Sequence, residues 1–213
     1  MKFLDYDSPI MSWLSRIYDV MILNFLTLLF CIPVITIGAA TTAAHYTSLK
    51  LRRNEGQVFR CFWKSFRENF KQSTVVWIVF CIHCFLLYWA FSISSYMDNQ
   101  IADVLRGIIV ATSILTVFIY AWVLPLQSRF INPITATLKN AFYMAFRYIL
   151  RTVLMAVLNL LPIGLLVFAI NTFGIKGFGA WLLFGISAPI YWCAITYDKV
   201  FEKWEEIVLE SEK

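Results

Sequence analysis

Residues 72–97 read QSTVVWIVFCIHCFLLYWAFSISSYM, 26 consecutive positions without Asp, Glu, Lys or Arg. About 20 apolar residues in a helix cover the roughly 30 Å hydrocarbon core of a bilayer. Backbone groups inside lipid must find partners within the protein, which a helix provides within one segment. This stretch therefore predicts a membrane-spanning helix.

Four more charge-free runs lie around it, at 20–49, 107–128, 152–175 and 177–197. They are rich in Leu, Ile, Val, Phe and Ala without the alternation of a barrel strand. Composition agrees: 60% of the 213 residues are hydrophobic, 15% are charged and the mean hydropathy is +0.70. Soluble domains average about 25% charged residues. The expected fold is all-α, a single integral membrane domain over residues 1–213. Its five transmembrane helices fall at about 17–44, 73–97, 104–127, 149–171 and 178–198, with two cytoplasmic amphipathic helices between them. A net charge of +5 would suggest a nucleic-acid partner in a soluble protein. Here the cations sit between apolar spans, so the bilayer is the expected partner and nucleic acid is not. No cleavable leader is evident, and the first span is expected to direct insertion.

Lys and Arg set the orientation. Fourteen of the 18 basic residues lie in the link before span two, the link before span four and the C-terminal tail. These parts, the C-terminus included, are expected on the cytoplasmic side. The N-terminus is expected outside, unless residues 8–19 lie flat in the interface. Asp7-Ser8-Pro9 reads as a helix start, and Pro33 predicts a kink in span one. Residues 38–44, Gly-Ala-Ala-Thr-Thr-Ala-Ala, read as a close-packing face or as a flexible segment lining a path.

The first basic link predicts an amphipathic helix. Val58, Phe59, Phe62, Trp63, Phe66 and Phe70 recur at helical spacing, with Arg60, Lys64, Arg67 and Lys71 alongside. Rings at the acyl boundary and cations at anionic headgroups suit a membrane-surface helix. The same side chains could dock a partner. Arg60, Trp63, Lys64, Phe66, Arg67, Phe70 and Lys71 are thus candidate lipid- or partner-docking residues. The second link resembles a copy, with Ile134, Leu138, Phe142, Phe146 and Ile149 as its apolar ridge. Phe66-x-x-x-Phe70-Lys71 parallels Phe142-x-x-x-Phe146-Arg147, which suggests a parallel two-helix repeat, common among transporters.

Catalytic and cofactor chemistry finds no foothold. Cys81, His83 and Cys84 invite a zinc reading, but His83 points away from the face the two Cys share, and zinc needs four convergent ligands. The five Cys lie mostly in apolar runs and predict no disulfide framework. No nucleotide loop, HExxH or GxSxG occurs. The spans lack the mid-membrane acid of an ion-coupled carrier. Their polar residues of interest are Asn24, Thr41, Thr42 and Asn159, which either contact a solute or bond helix to helix. His45 is expected to bond a neighbouring helix. No enzyme activity, metal or cofactor is expected.

Three stretches carry a resemblance: Asp5-Tyr6-Asp7-Ser8-Pro9, Pro33-x-x-Thr36-Ile37-Gly38-Ala39-Ala40-Thr41-Thr42-Ala43, and Phe62-Trp63-Lys64-Ser65-Phe66-Arg67-x-Asn69-Phe70-Lys71-Gln72. They resemble the signature stretches of YesL-like proteins, small bacterial integral membrane proteins of undetermined function. The resemblance implies a place beside carbohydrate ABC importers. Three functions follow as expectations. The first is an accessory subunit or partner of such an importer, in contact with its permease subunits. The second is a stand-alone small-solute transporter or channel acting as a homo-oligomer. The third is a structural or regulatory membrane protein.

Overall fold

A computed structural model describes residues 9–97 and 99–211, and in it the chain forms eight α-helices: α1 (Pro9–Cys31), α2 (Ile37–Arg52), α3 (Val58–Ser95), α4 (Gln100–Arg129), α5 (Ile134–Arg147), α6 (Ile149–Phe173), α7 (Ile175–Phe184) and α8 (Ser187–Ser211). Five stretches are long and apolar enough to cross a membrane: Met11–Cys31, Val58–Ser95, Gln100–Arg129, Ile149–Phe173 and Lys176–Glu205. Asp7 and Ser8, the expected helix cap, lie outside the described residues.

The expected span 17–44 is two helices, not one kinked helix. Pro33 has no amide hydrogen to donate, and the chain turns through the 3-10 segment Val34–Thr36. The turn satisfies itself: Thr36 Oγ1 donates to the carbonyls of Phe30 (2.6 Å) and Pro33 (2.7 Å). Trp77 Nε1 donates to Val34 O across 2.9 Å. With these bonds made, Ile32, Val34 and Ile35 can stay 60–74% exposed, as lipid allows.

α2 is the hub of the bundle, packed on α1, α3, α4 and α8. Ala39, Ala40, Ala43 and Ala44 are fully buried against Leu23 and Leu26 of α1. Gly38 lets α2 and α3 touch: a Cβ there would lie 2.5 Å from Ser73 O and 2.6 Å from Trp77 Cβ. The threonine hydroxyls of α2 are accommodated because each bonds back one turn, Thr41 to Ile37 O (2.7 Å), Thr42 to Gly38 O (2.8 Å) and Thr47 to Ala43 O (2.8 Å).

The amphipathic helix expected in the first link is no separate element. It is the first third of α3, which contains neither Gly nor Pro to interrupt it. At about 1.5 Å per residue α3 is about 57 Å long, far beyond the roughly 30 Å hydrocarbon core. Residues 72–95 carry the apolar span, and the charged residues 60–71 extend beyond it. α4 returns antiparallel to α3, with His83 Nε2 3.0 Å from Thr116 Oγ1 and Ser73 Oγ 3.3 Å from Gln127 Oε1. The second link does form its own short helix, α5. Its small residues Ala141 and Ala145, with Met144, pack in one core with Trp122, and the ridge of Leu138, Phe142 and Phe146 faces outward. The halves thus differ, since α4 passes through Pro125 unbroken where α1 and α2 separate.

The start of α1 lies at the basic end of the bundle, not opposite it. Arg16 donates to Asn54 Oδ1 in the α2–α3 turn. At the far end of α1, Phe30 packs among Phe62, Trp63 and Phe66, with centroids 4.8–5.8 Å apart. Both ends of α1 are therefore anchored to the basic half of the α2–α3 hairpin. In the turn itself, Lys50 beside Glu55 holds that carboxyl below its usual range.

Candidate functional site: a central cavity, a charged knot and an outer ridge

Five parts of the chain converge on a central cavity of about 270 Å³. α2 contributes Ile37, Thr41 and His45; α3 contributes Trp77 and Phe80; α4 contributes Val117, Tyr120, Ala121 and Leu124. α6 supplies residues 158–160, Pro162 and Ile163, and the α7–α8 junction supplies Ile186, Pro189 and Ile190. The walls are mostly hydrocarbon. The exceptions are Thr41, His45, Tyr120 and Asn159, with the indole nitrogen of Trp77 already committed to Val34 O.

His45 is 2% exposed. Its Nδ1 lies 3.2 Å from the Tyr197 hydroxyl, which can also donate to His45 O at 3.3 Å. Nε2 has no protein partner among the described residues. Thr41 Oγ1 donates to Ile37 O at 2.7 Å and keeps its lone pairs free. Asn159 and the Tyr120 hydroxyl have no hydrogen-bond partner among the described residues. Lined by no carboxylate, thiol or ammonium group, the cavity can hold and orient a neutral group by hydrogen bonds.

Below it, at the basic end, α2, α4 and α8 meet in a charged knot. The 5%-exposed Asp198 pairs with Arg53 Nη2 at 2.9 Å and Arg129 Nη1 at 3.0 Å, with Arg52 Nη1 4.0 Å away. Arg129 also grips Glu205 through two bonds of 2.9 and 2.8 Å, and lies over the rings of Phe130 and Phe201. Its planar fork suits such bidentate pairing. Thr41, His45, Ser48 and Arg52 follow one another at spacings of four, three and four, so one face of α2 carries polar groups from cavity to knot. Among the described residues, Ser48 Oγ and Arg52 Nη1 are buried without a hydrogen-bond partner.

The third feature is the outer ridge on α3. Arg60, Lys64, Arg67 and Lys71 are exposed, and Phe59 and Trp63 remain 60% and 40% exposed. Phe70, 37% exposed, lies edge-on to Phe66. Phe66 itself departs from the expectation. At 8% exposure it belongs to the internal cluster with Phe30 and Phe62 and cannot dock anything.

Among the four candidate polar residues, Thr41 and Asn159 share the cavity, and Asn24 and Thr42 do not line it. Thr42 is buried 3.0 Å from Ser73 Oγ. Asn24, also buried, bridges the α7–α8 break: Oδ1 accepts from Ile186 N (2.9 Å) and Ser187 N (2.8 Å), and Nδ2 donates to Leu182 O (2.7 Å). His45 bonds a neighbouring helix as expected, but its place on the cavity was not anticipated, although Thr41-x-x-x-His45 puts both on one helix face. Tyr120, Tyr197 and Asp198 carried no local signal, since each matters only through distant elements.

A family described as "Protein of unknown function, DUF624" matches residues 20–91. The match runs from α1 through most of α3, so it covers the outer ridge and the α2 and α3 walls of the cavity, and it leaves out α4, α6 and α8. No curated protein and no solved structure matches the chain.

Proposed function

We propose that the protein is a non-catalytic companion of a carbohydrate ABC importer, seated in the bacterial cell membrane with its basic end and C-terminus in the cytoplasm. The observation that carries this reading is the outer ridge. α3 continues beyond its apolar span and presents Phe59 and Trp63 between exposed cations. Aromatic and Arg side chains dominate the energetics of protein interfaces, and exposed rings set between cations suit a partner surface. The choice of an importer follows from the resemblance to YesL-like proteins, and the sidedness from the excess of Lys and Arg at one end.

Co-expression with importer permease subunits, followed by purification in mild detergent, tests the proposal. The permease should co-purify, and the triple variant Arg60→Glu, Lys64→Glu, Arg67→Glu should reduce its recovery at least about tenfold at unchanged thermal stability, because the three side chains are exposed. Permease recovery no better than with an unrelated membrane protein, together with unchanged sugar uptake after deletion, overturns it.

A stand-alone sugar carrier is favoured by the central cavity but opposed by the chemistry of its walls. A sugar carries a hydroxyl on almost every carbon, and each one buried without a partner costs about 1–3 kcal/mol. Four polar side chains cannot satisfy that many groups. Liposomes holding the purified protein should therefore pass no sugar faster than empty ones. A lipid-regulatory role predicts instead that the triple variant loses its preference for anionic over neutral vesicles while permease binding stays intact.

A further inference from the structure

We infer that the central cavity is a binding site for one uncharged amphiphile, its polar head bonded to His45 and Asn159 and its apolar body against Phe80, Leu158 and Ile190. The inference stands apart from the importer proposal, which rests on the outer ridge.

The cavity is built rather than incidental, because α2, α3, α4, α6 and the α7–α8 junction all contribute. Its polar groups have unspent hydrogen-bonding capacity. The His45 ring is almost wholly buried and bonded on one side only. The Asn159 amide and the Tyr120 hydroxyl have no hydrogen-bond partner among the described residues. An amide or imidazole facing hydrocarbon without a partner is unfavourable, and Leu or Val in its place would close the space. Polar groups retained in such surroundings mark something that pairs with them.

Charge and volume narrow the occupant. No charged side chain lines the cavity, so an ion would lose its hydration without compensation. The volume of about 270 Å³ falls below the roughly 300–1,000 Å³ of drug-sized sites, leaving room for a small head and a short chain. Water alone fits poorly. At about 30 Å³ each, roughly nine waters would be needed to fill the space, and a cluster of that size needs wall groups to anchor it. Four polar side chains in a wall otherwise of hydrocarbon anchor it weakly.

A diazirine-bearing octanol is the probe, used with the full chain in detergent micelles, with labelled residues mapped by mass spectrometry. Saturable labelling is expected at residues 158–163 and 186–190, competed by excess octanol and not by octanoate. Asn159→Leu should lower the saturable part about 5–10-fold, the worth of one neutral hydrogen bond, without lowering thermal stability, because Asn159 holds nothing in the fold. Labelling confined to lipid-facing residues such as Leu150 and Phe168, which is also the outcome for a water-filled cavity, overturns the inference. So does equal competition by octanol and octanoate, which wild-type protein alone reveals. Unchanged labelling of a folded Asn159→Leu variant overturns it as well.

Discussion

Asn24 and Asn159 are the same residue type in the same apolar surroundings, and the fold treats them oppositely. Asn24 has three of its four hydrogen-bonding directions engaged, holding the amides of Ile186 and Ser187 where α8 begins and a carbonyl in the last turn of α7. Asn24→Ala leaves those backbone groups unpaired inside the bundle, and each unsatisfied group costs about 1–3 kcal/mol. Unfolding titrations in detergent should show a loss of at least about 2 kcal/mol for Asn24→Ala and little change for Asn159→Ala; equal losses would contradict the bonding described. The sequence marked both as polar groups within spans. It could not separate them, because the partners of Asn24 are backbone atoms some 160 residues away, invisible to any local pattern.

At the scale of elements, the apolar runs were legible because hydrophobic stretches of sufficient length admit few structures in lipid. Punctuation was harder to read. Pro33 signalled a disturbance, and the turn it makes depends on bonds from Thr36 and Trp77. In α3 the change from a charged segment to an apolar one suggested two helices, yet nothing in residues 58–95 interrupts the backbone. Helix continuity follows backbone hydrogen bonding, not side-chain polarity. Spin labels at Lys64→Cys and Ser95→Cys should therefore lie about 47 Å apart, the rise of 31 residues. A bend at Lys71 that laid the basic segment on the membrane would shorten this to about 37 Å.

For the whole molecule, the charge asymmetry on which the proposed orientation rests is sharper than the sequence suggested. Arg16 joins the basic end through Asn54. At the opposite end, Arg106 is tied to Ser94 O, Met97 O and Asp103. The path of α1 has a direct test. In a background without native Cys, Ser12→Cys and Asn54→Cys should react with an impermeant maleimide from the same side of sealed vesicles, and Lys176→Cys from the other. Reaction of Ser12→Cys from the side of Lys176→Cys would overturn the shared placement of α1 and the α2–α3 turn. The Asp198 knot escaped the sequence reading for the reason that hid the partners of Asn24. Arg53 and Asp198 are 145 positions apart, and only the packing of α2 beside α8 makes them neighbours.

The bridge from Asn24 to the α7–α8 break also bears on synthesis. At about 5–20 residues per second, roughly 8–30 s pass between the emergence of Asn24 from the ribosome and that of Ser187. Over that interval the carboxamide of α1 lacks the groups it will finally hold. The early contacts of α1 with the α2–α3 hairpin can form meanwhile, but a buried polar group stays unpaired until the last helix arrives, so chains halted before Ser187 are expected to be prime substrates for membrane proteases.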